Sequence, residues 1–149
     1  MNFLAAATES VSHPATMLVV GALLAAVLKG RAASIAMVAA PLLGLSFVIG
    51  LEPGSFSTVS LFGLEIKSVA VDKQAKLFGY LFHIAALIAG IYSFHLRDRW
   101  QVSMALLYAA SAVGVAFAGD MLSLFLWWEA LALTSVFQIW ARRTKESEE

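Results

Sequence analysis

Cysteine is absent from the 149 residues, which removes disulfides, thiolate metal sites and thiol chemistry together. Charge is scarce. Only 13% of the residues are Asp, Glu, Lys or Arg, where a soluble domain carries about a quarter. Ten basic residues balance ten acidic ones, so the chain has no net basic footprint for nucleic acid. Three histidines without cysteine leave little for a metal site, and no metal or other cofactor is expected. The N-terminus has no basic stretch ahead of its first apolar run. Lys29 and Arg31 follow that run instead, so no cleaved signal peptide is expected.

What the chain does have is hydrophobic length: 60% of it is apolar. About 20 apolar residues cross the hydrocarbon core of a bilayer. Runs of that kind predict an all-α integral membrane protein, one membrane domain over residues 1–149, with spans near 14–28, 32–51, 74–94, 100–118 and 121–141. His13-Pro14 suits a helix start, since proline needs no donor in the first turn. Pro41 lies inside the second span and predicts a bend. After the turn signal Glu52-Pro53-Gly54, residues 54–71 are rich in β-branched side chains and alternate about Phe62-Gly63. They read as an external β-hairpin between the second and third spans. Ala105, Ala109, Ala112 and Ala116 in the fourth span predict close helix packing.

Lys29, Arg31, Arg97, Arg99, Arg142, Arg143 and Lys145 fall on one side of this layout, and Lys67, Lys73 and Lys76 on the other. The positive-inside rule makes the first side cytoplasmic. Five crossings then put the N-terminus outside and the C-terminus inside, with the hairpin on the external face.

Glu129 is the one acidic residue inside a predicted span. An ionisable group there costs a few kcal/mol on insertion scales and is by default a functional candidate. Its carboxyl would favour the neutral form unless a cation came near, and that sensitivity is what a proton relay uses. The plain alternative is a neutral, hydrogen-bonded packing residue. His83 lies at a similar depth in the third span, as a relay or as a histidine bonded to a backbone carbonyl. Haem would need a second axial ligand, and His95 is about 120° around the helix from His83 and at the membrane edge. Asp120 opens the fifth span, where a carboxylate caps free amides or serves as an outer proton station. Trp127, Trp128 and Trp140 read as packing residues or interface anchors. Ser111, Thr134 and Ser135 read as interhelical hydrogen-bonders or as holders of water near Glu129. The acidic tail Glu146, Glu148 and Glu149 reads as a solvated end.

From Val71 to Arg143 the chain resembles the N-terminal part of the antiporter-like membrane subunits shared by respiratory complex I and Mrp-type cation/proton antiporters. Val71-Asp72 followed by Leu77-Phe78 resembles the start of that family's third helix after its hairpin. Ile91-Tyr92-Ser93 before a charged turn resembles the helix's end. Ala118-Gly119-Asp120-Met121-Leu122 resembles the Ala-Asp-Asn-Leu-Leu start of the fifth helix. Phe125-Leu126-Trp127-Trp128-Glu129 with Leu133-Thr134-Ser135 resembles its Phe-x-x-Trp-Glu-Leu…Thr-Ser run, the most specific of these matches. Gly119 and Trp127 depart from the commonest residues at their positions. The resemblance implies that Glu129 is the family's fifth-helix glutamate, which pairs with a lysine on the seventh helix in a proton path. No lysine lies in the interior of a predicted span here, Lys76 standing at the very start of the third, and the family's later charged helices have no counterpart. The expected role is therefore a partial, split or truncated, proton-conducting subunit in a bacterial plasma membrane, working with a partner chain that supplies the lysine. Within a complex I-like assembly it would be a non-redox subunit of a NADH-quinone oxidoreductase. The alternative is a structural or assembly subunit without transport of its own.

Overall fold

A computed structural model describes residues 12–28, 30–61, 63–94 and 98–141. The element order is α1 (Thr16–Val27), α2 (Arg31–Ile49), β1 (Phe56–Leu61), β2 (Leu64–Ala70), α3 (Lys73–Tyr92), α4 (Arg99–Phe117) and α5 (Met121–Ala141). The chain is a helical bundle with a small antiparallel hairpin between α2 and α3. Among the described residues four helices, α2 to α5, are long and apolar enough to cross a membrane. The first expected span is shorter than its apolar run suggested. With twelve residues, α1 is about 18 Å long, well under the ~30 Å of a bilayer core.

The helix starts follow from the sequence. Asp72, Asp98 and Asp120 each stand just before a helix and accept a backbone N–H from its first turn: Ala75 at 2.6 Å, Trp100 at 3.0 Å and Ser123 at 2.7 Å. An N-cap aspartate satisfies an otherwise orphaned donor there. At the other end of α2, Lys76 Nζ donates to the carbonyls of Leu51 at 2.6 Å and Ile49 at 3.3 Å. A cation at a helix C-terminus also complements the dipole. Helix α2 runs on through the buried Pro41.

Helix α4 is the centre of the bundle and touches α1, α2, α3, α5 and β2. Its buried face carries Val102, Ser103, Leu106, Ala110, Val113, Gly114 and Phe117. Of the alanines expected to make close contacts, Ala105, Ala109 and Ala116 are half-buried and packed against that core, while Ala105, Ala109 and Ala112 also line a cleft between α3 and α5. An interhelical hydrogen bond of α4 comes from Ser103, whose hydroxyl donates to the Ala22 carbonyl of α1 at 2.9 Å. Ser111, Thr134 and Ser135 instead donate within their own helices, to Leu107, Ala130 and Ala132.

The hairpin's strands end at Leu61 and begin again at Leu64, where the alternation predicts the turn, and Gly63 has φ 80. Its register changes between Ser57, opposite Val69, and Thr58, opposite Lys67, so Ser68 is the extra residue of a bulge. Beside that bulge, the backbone of Lys67 is taken over by the start of α5. The Lys67 N–H donates to Asp120 Oδ2 at 2.6 Å. Its carbonyl accepts from the Gly119 N–H at 3.1 Å and the Ser123 hydroxyl at 3.1 Å. A side chain at position 119 would collide with Lys67, so the glycine there has a packing reason.

Candidate functional site

Helix α5 is held on one side only. It lies on α4 and touches β2. The half-buried Trp127 lies directly on Gly114 of α4, leaving no room for a side chain there. Ser123, Ala130, Leu131, Thr134 and Gln138 continue the packed stripe at helical spacing. Glu129 follows Trp127 by two residues, about 200° around the helix, and therefore lies opposite that stripe. It is exposed, with exposed Leu122, Phe125, Leu133, Val136 and Trp140 on the same side of α5. It is the ninth residue of 21, about 12 Å along a helix of about 31 Å. The carboxylate thus stands near the middle of a bilayer-length helix, on an apolar face, with no partner among the described residues.

His83 is elsewhere. It is fully buried on α3, with its ring against Gly44 of α2, one turn after Pro41. Its Nδ1 donates to the Gly79 carbonyl at 2.8 Å, and its Nε2 has no partner. Neutral Nδ1–H imidazole fits this arrangement. Asp120 is at the membrane edge of α5, engaged by Ser123 and Lys67. The Ser123 N–H, aided by that of Lys67, holds its carboxyl below the usual carboxylate range despite partial desolvation. The structure does not join Glu129, His83 and Asp120: they share no hydrogen-bond partner. His95, Arg97 and the basic tail Arg142, Arg143 and Lys145 lie outside the described residues.

His13 was not singled out by the sequence as more than part of a helix start. Its ring lies 4.7 Å from that of Trp127, tilted by 37°. Its Nδ1 accepts the Ala15 N–H at 3.1 Å, and its Nε2 is buried without a partner among the described residues. Burial pushes this imidazole down to about 4. A histidine before a buried proline does not announce a tertiary contact, which explains the omission. Among the described residues no group of His, Asp or Glu is placed to hold a metal ion.

No protein-family model matches this chain, and no curated protein or solved structure matches it either.

Proposed function

We propose that this protein is a proton-conducting component of a membrane cation/proton antiporter or a complex I-like pump, with Glu129 in the proton path. The observation that carries the reading is the carboxylate at mid-length of α5, unpartnered on an outward, apolar face. A carboxylate left against lipid is costly, so this face belongs against another membrane subunit that offers a base or cation at the same depth. The resemblance of Phe125-Leu126-Trp127-Trp128-Glu129 and Leu133-Thr134-Ser135 to the antiporter-like subunits supports the same role and suggests a lysine as the partner group. A cation approaching Glu129 favours its ionised form, and withdrawal favours protonation; alternation between the two moves a proton. The basic-residue asymmetry supports placing the hairpin and Lys67 outside, and Arg31 and Arg99 on the cytoplasmic side.

A specific observation also favours the accessory reading: His83 and Asp120 are both bound to backbone groups, and neither continues a polar path from Glu129. The experiment that separates the two readings compares Glu129→Gln with Glu129→Asp by ion-dependent proton flux in vesicles, with assembly checked on the same membranes. Gln keeps shape and hydrogen bonding but cannot titrate, whereas Asp titrates one methylene short. A relay requires that Gln abolish flux while the complex still assembles and that Asp keep part of it. Full flux in the Gln variant removes Glu129 from the path and leaves the structural role.

A further inference from the structure

The hairpin has two unlike faces, sorted by its register. Val59 stands opposite Ile66, and Leu64 is two residues before Ile66, so these three share one face. Thr58 stands opposite Lys67 and Ser60 opposite Glu65, and those four share the other. On that second face Lys67 Nζ lies 5.3 Å from the centre of the Phe56 ring. One face is therefore apolar, and the other carries the charges. The bundle meets the hairpin through β2, which touches α4 and α5. Ile66 is buried, whereas Val59 and Leu64 stay 50% and 62% exposed. The apolar face thus continues past its covered part toward the turn.

A cavity of about 340 Å³ lies between this face and α5, with Val59 and Ile66 on one side and Leu126, Trp127 and Ala130 on the other. Ala130 is nine residues from Met121, about 14 Å along α5, so the cavity lies beside the first half of a helix long enough to cross a membrane. Its two hydroxyl-bearing residues are Ser68 and Ser123. Both hydroxyls already donate, to the carbonyls of Ser57 and Lys67, each at 3.1 Å. No charged side chain lines it. Unlike the face that carries Glu129, this one presents nothing for a polar partner to meet, and hydrocarbon fits it.

The backbone limits how deep the hairpin can sink. Lys67 turns its N–H and carbonyl away from β1, to Asp120, Gly119 and Ser123. In an antiparallel ladder its partner Thr58, and Ser60 two residues on, then turn their own backbone groups out of the opposite edge. Open strand edges do not occur against the hydrocarbon core, where nothing satisfies them. Headgroups and water do. The boundary between headgroups and acyl chains suits both the edge and the apolar face.

We infer that the part of the hairpin nearest its turn is a lipid-contacting element, seated at the interface of the leaflet on its own side of the membrane. Val59 and Leu64 lie against acyl chains, and Thr58, Ser60 and Glu65 face water. The inference holds whichever way the chain is oriented and does not depend on proton transfer at Glu129.

The chain has no cysteine, so single cysteines carrying a nitroxide at positions 58, 59, 60, 64 and 65 report without background. The full chain, with any subunits that accompany it, is placed in liposomes of phosphatidylcholine and phosphatidylglycerol. Each label's collisions with oxygen, which concentrates in hydrocarbon, are compared with its collisions with a water-soluble nickel chelate. The oxygen-to-nickel ratio at 59 and 64 should exceed that at 58, 60 and 65 severalfold. Nickel access that is equally high at all five positions overturns the inference. So does low access to both reagents at 59 and 64, the mark of protein cover. All five positions are exposed, so the labels leave the core alone, and unchanged protection of the Lys67 amide verifies that the hairpin keeps its place on α5.

Discussion

Helices α4 and α5 are adjacent, of similar length and of nearly equal mean hydropathy, yet 44% of the apolar window of α4 is buried against 6% of that of α5. Hydropathy predicts that both cross a membrane; it does not say what covers them. The difference lies in side-chain size and position. Helix α4 offers Ser103, Ala110 and Gly114 to its neighbours, and those small residues let α1 and α5 come close. Helix α5 offers one narrow stripe about Trp127 and turns Phe125, Leu133 and Trp140 outward. In lipid such residues need no protein cover, but Glu129 among them does. The centre of the bundle is thus covered by its own sequence, whereas its edge helix turns a carboxyl group outward, the group for which a partner is proposed.

The sharpest way to break that comparison is to truncate equal side chains on the two helices. Phe117→Ala empties a fully buried site on α4 and should cost about 3–5 kcal/mol, read by reversible unfolding in mixed micelles. Phe125→Ala, on the outward face of α5, should change the stability of the isolated chain by less than about 0.5 kcal/mol. Equal losses would show that α5 is covered within this chain after all. Gly114→Leu attacks the seam between the helices. It forces a side chain into the Trp127 ring and should cost about 1–3 kcal/mol, with a change in the tryptophan emission of the folded protein.

A smaller effect is expected at the clamp between hairpin and α5. Asp120→Ala removes bonds to both Lys67 and Ser123, and amide exchange should quicken at those two positions while the α4 core stays protected. Acid should imitate it. A carboxyl whose folded-state pKa is lowered contributes stability that is complete above its unfolded value and is lost as pH falls through the folded one. Protection of the Lys67 and Ser123 amides, relative to the unfolded chain at the same pH, should therefore fall only at strongly acidic pH, and lost protection already near neutrality would contradict the assignment. The smallest effect concerns His13. Its neutral form is the one buried against Trp127, and its folded pKa is down to about 4 from 6.5. The undocked state then binds more protons between those values, so docking is strongest above about pH 6.5 and weakens as pH falls toward 4. Tryptophan emission should follow that window in the wild type and be flat across it in His13→Gln.

Much of this architecture was legible in the sequence because its signals are local. Apolar runs gave the helices of α2 to α5 to within a few residues, Asp120 marked the start of α5, and the alternation about Phe62-Gly63 gave the hairpin. What was not legible depends on which faces meet. Helical spacing marked Ala105, Ala109 and Ala112 as small, and smallness fits an open cleft as well as a tight contact. Thr134 and Ser135 bond within α5 because a hydroxyl can reach the preceding turn without a neighbour. The apolar run of 14–28 looked long enough to cross, but its helix ends at Val27, before the Gly30 turn. For Glu129, the sequence placed the residue in depth along its helix, and only the packing of Trp127 on Gly114 showed that it points away from the bundle.

The outward face of α5 is best tested in native membranes with a photo-activated cross-linker placed at Val136, beside Glu129 on that face, and separately at Thr134 on the packed stripe. Position 136 should couple this chain to another membrane subunit, and position 134 should couple α5 only to its own bundle. Capture of lipid alone at position 136, in membranes where the protein is functional, would contradict the claim that Glu129 meets a partner there.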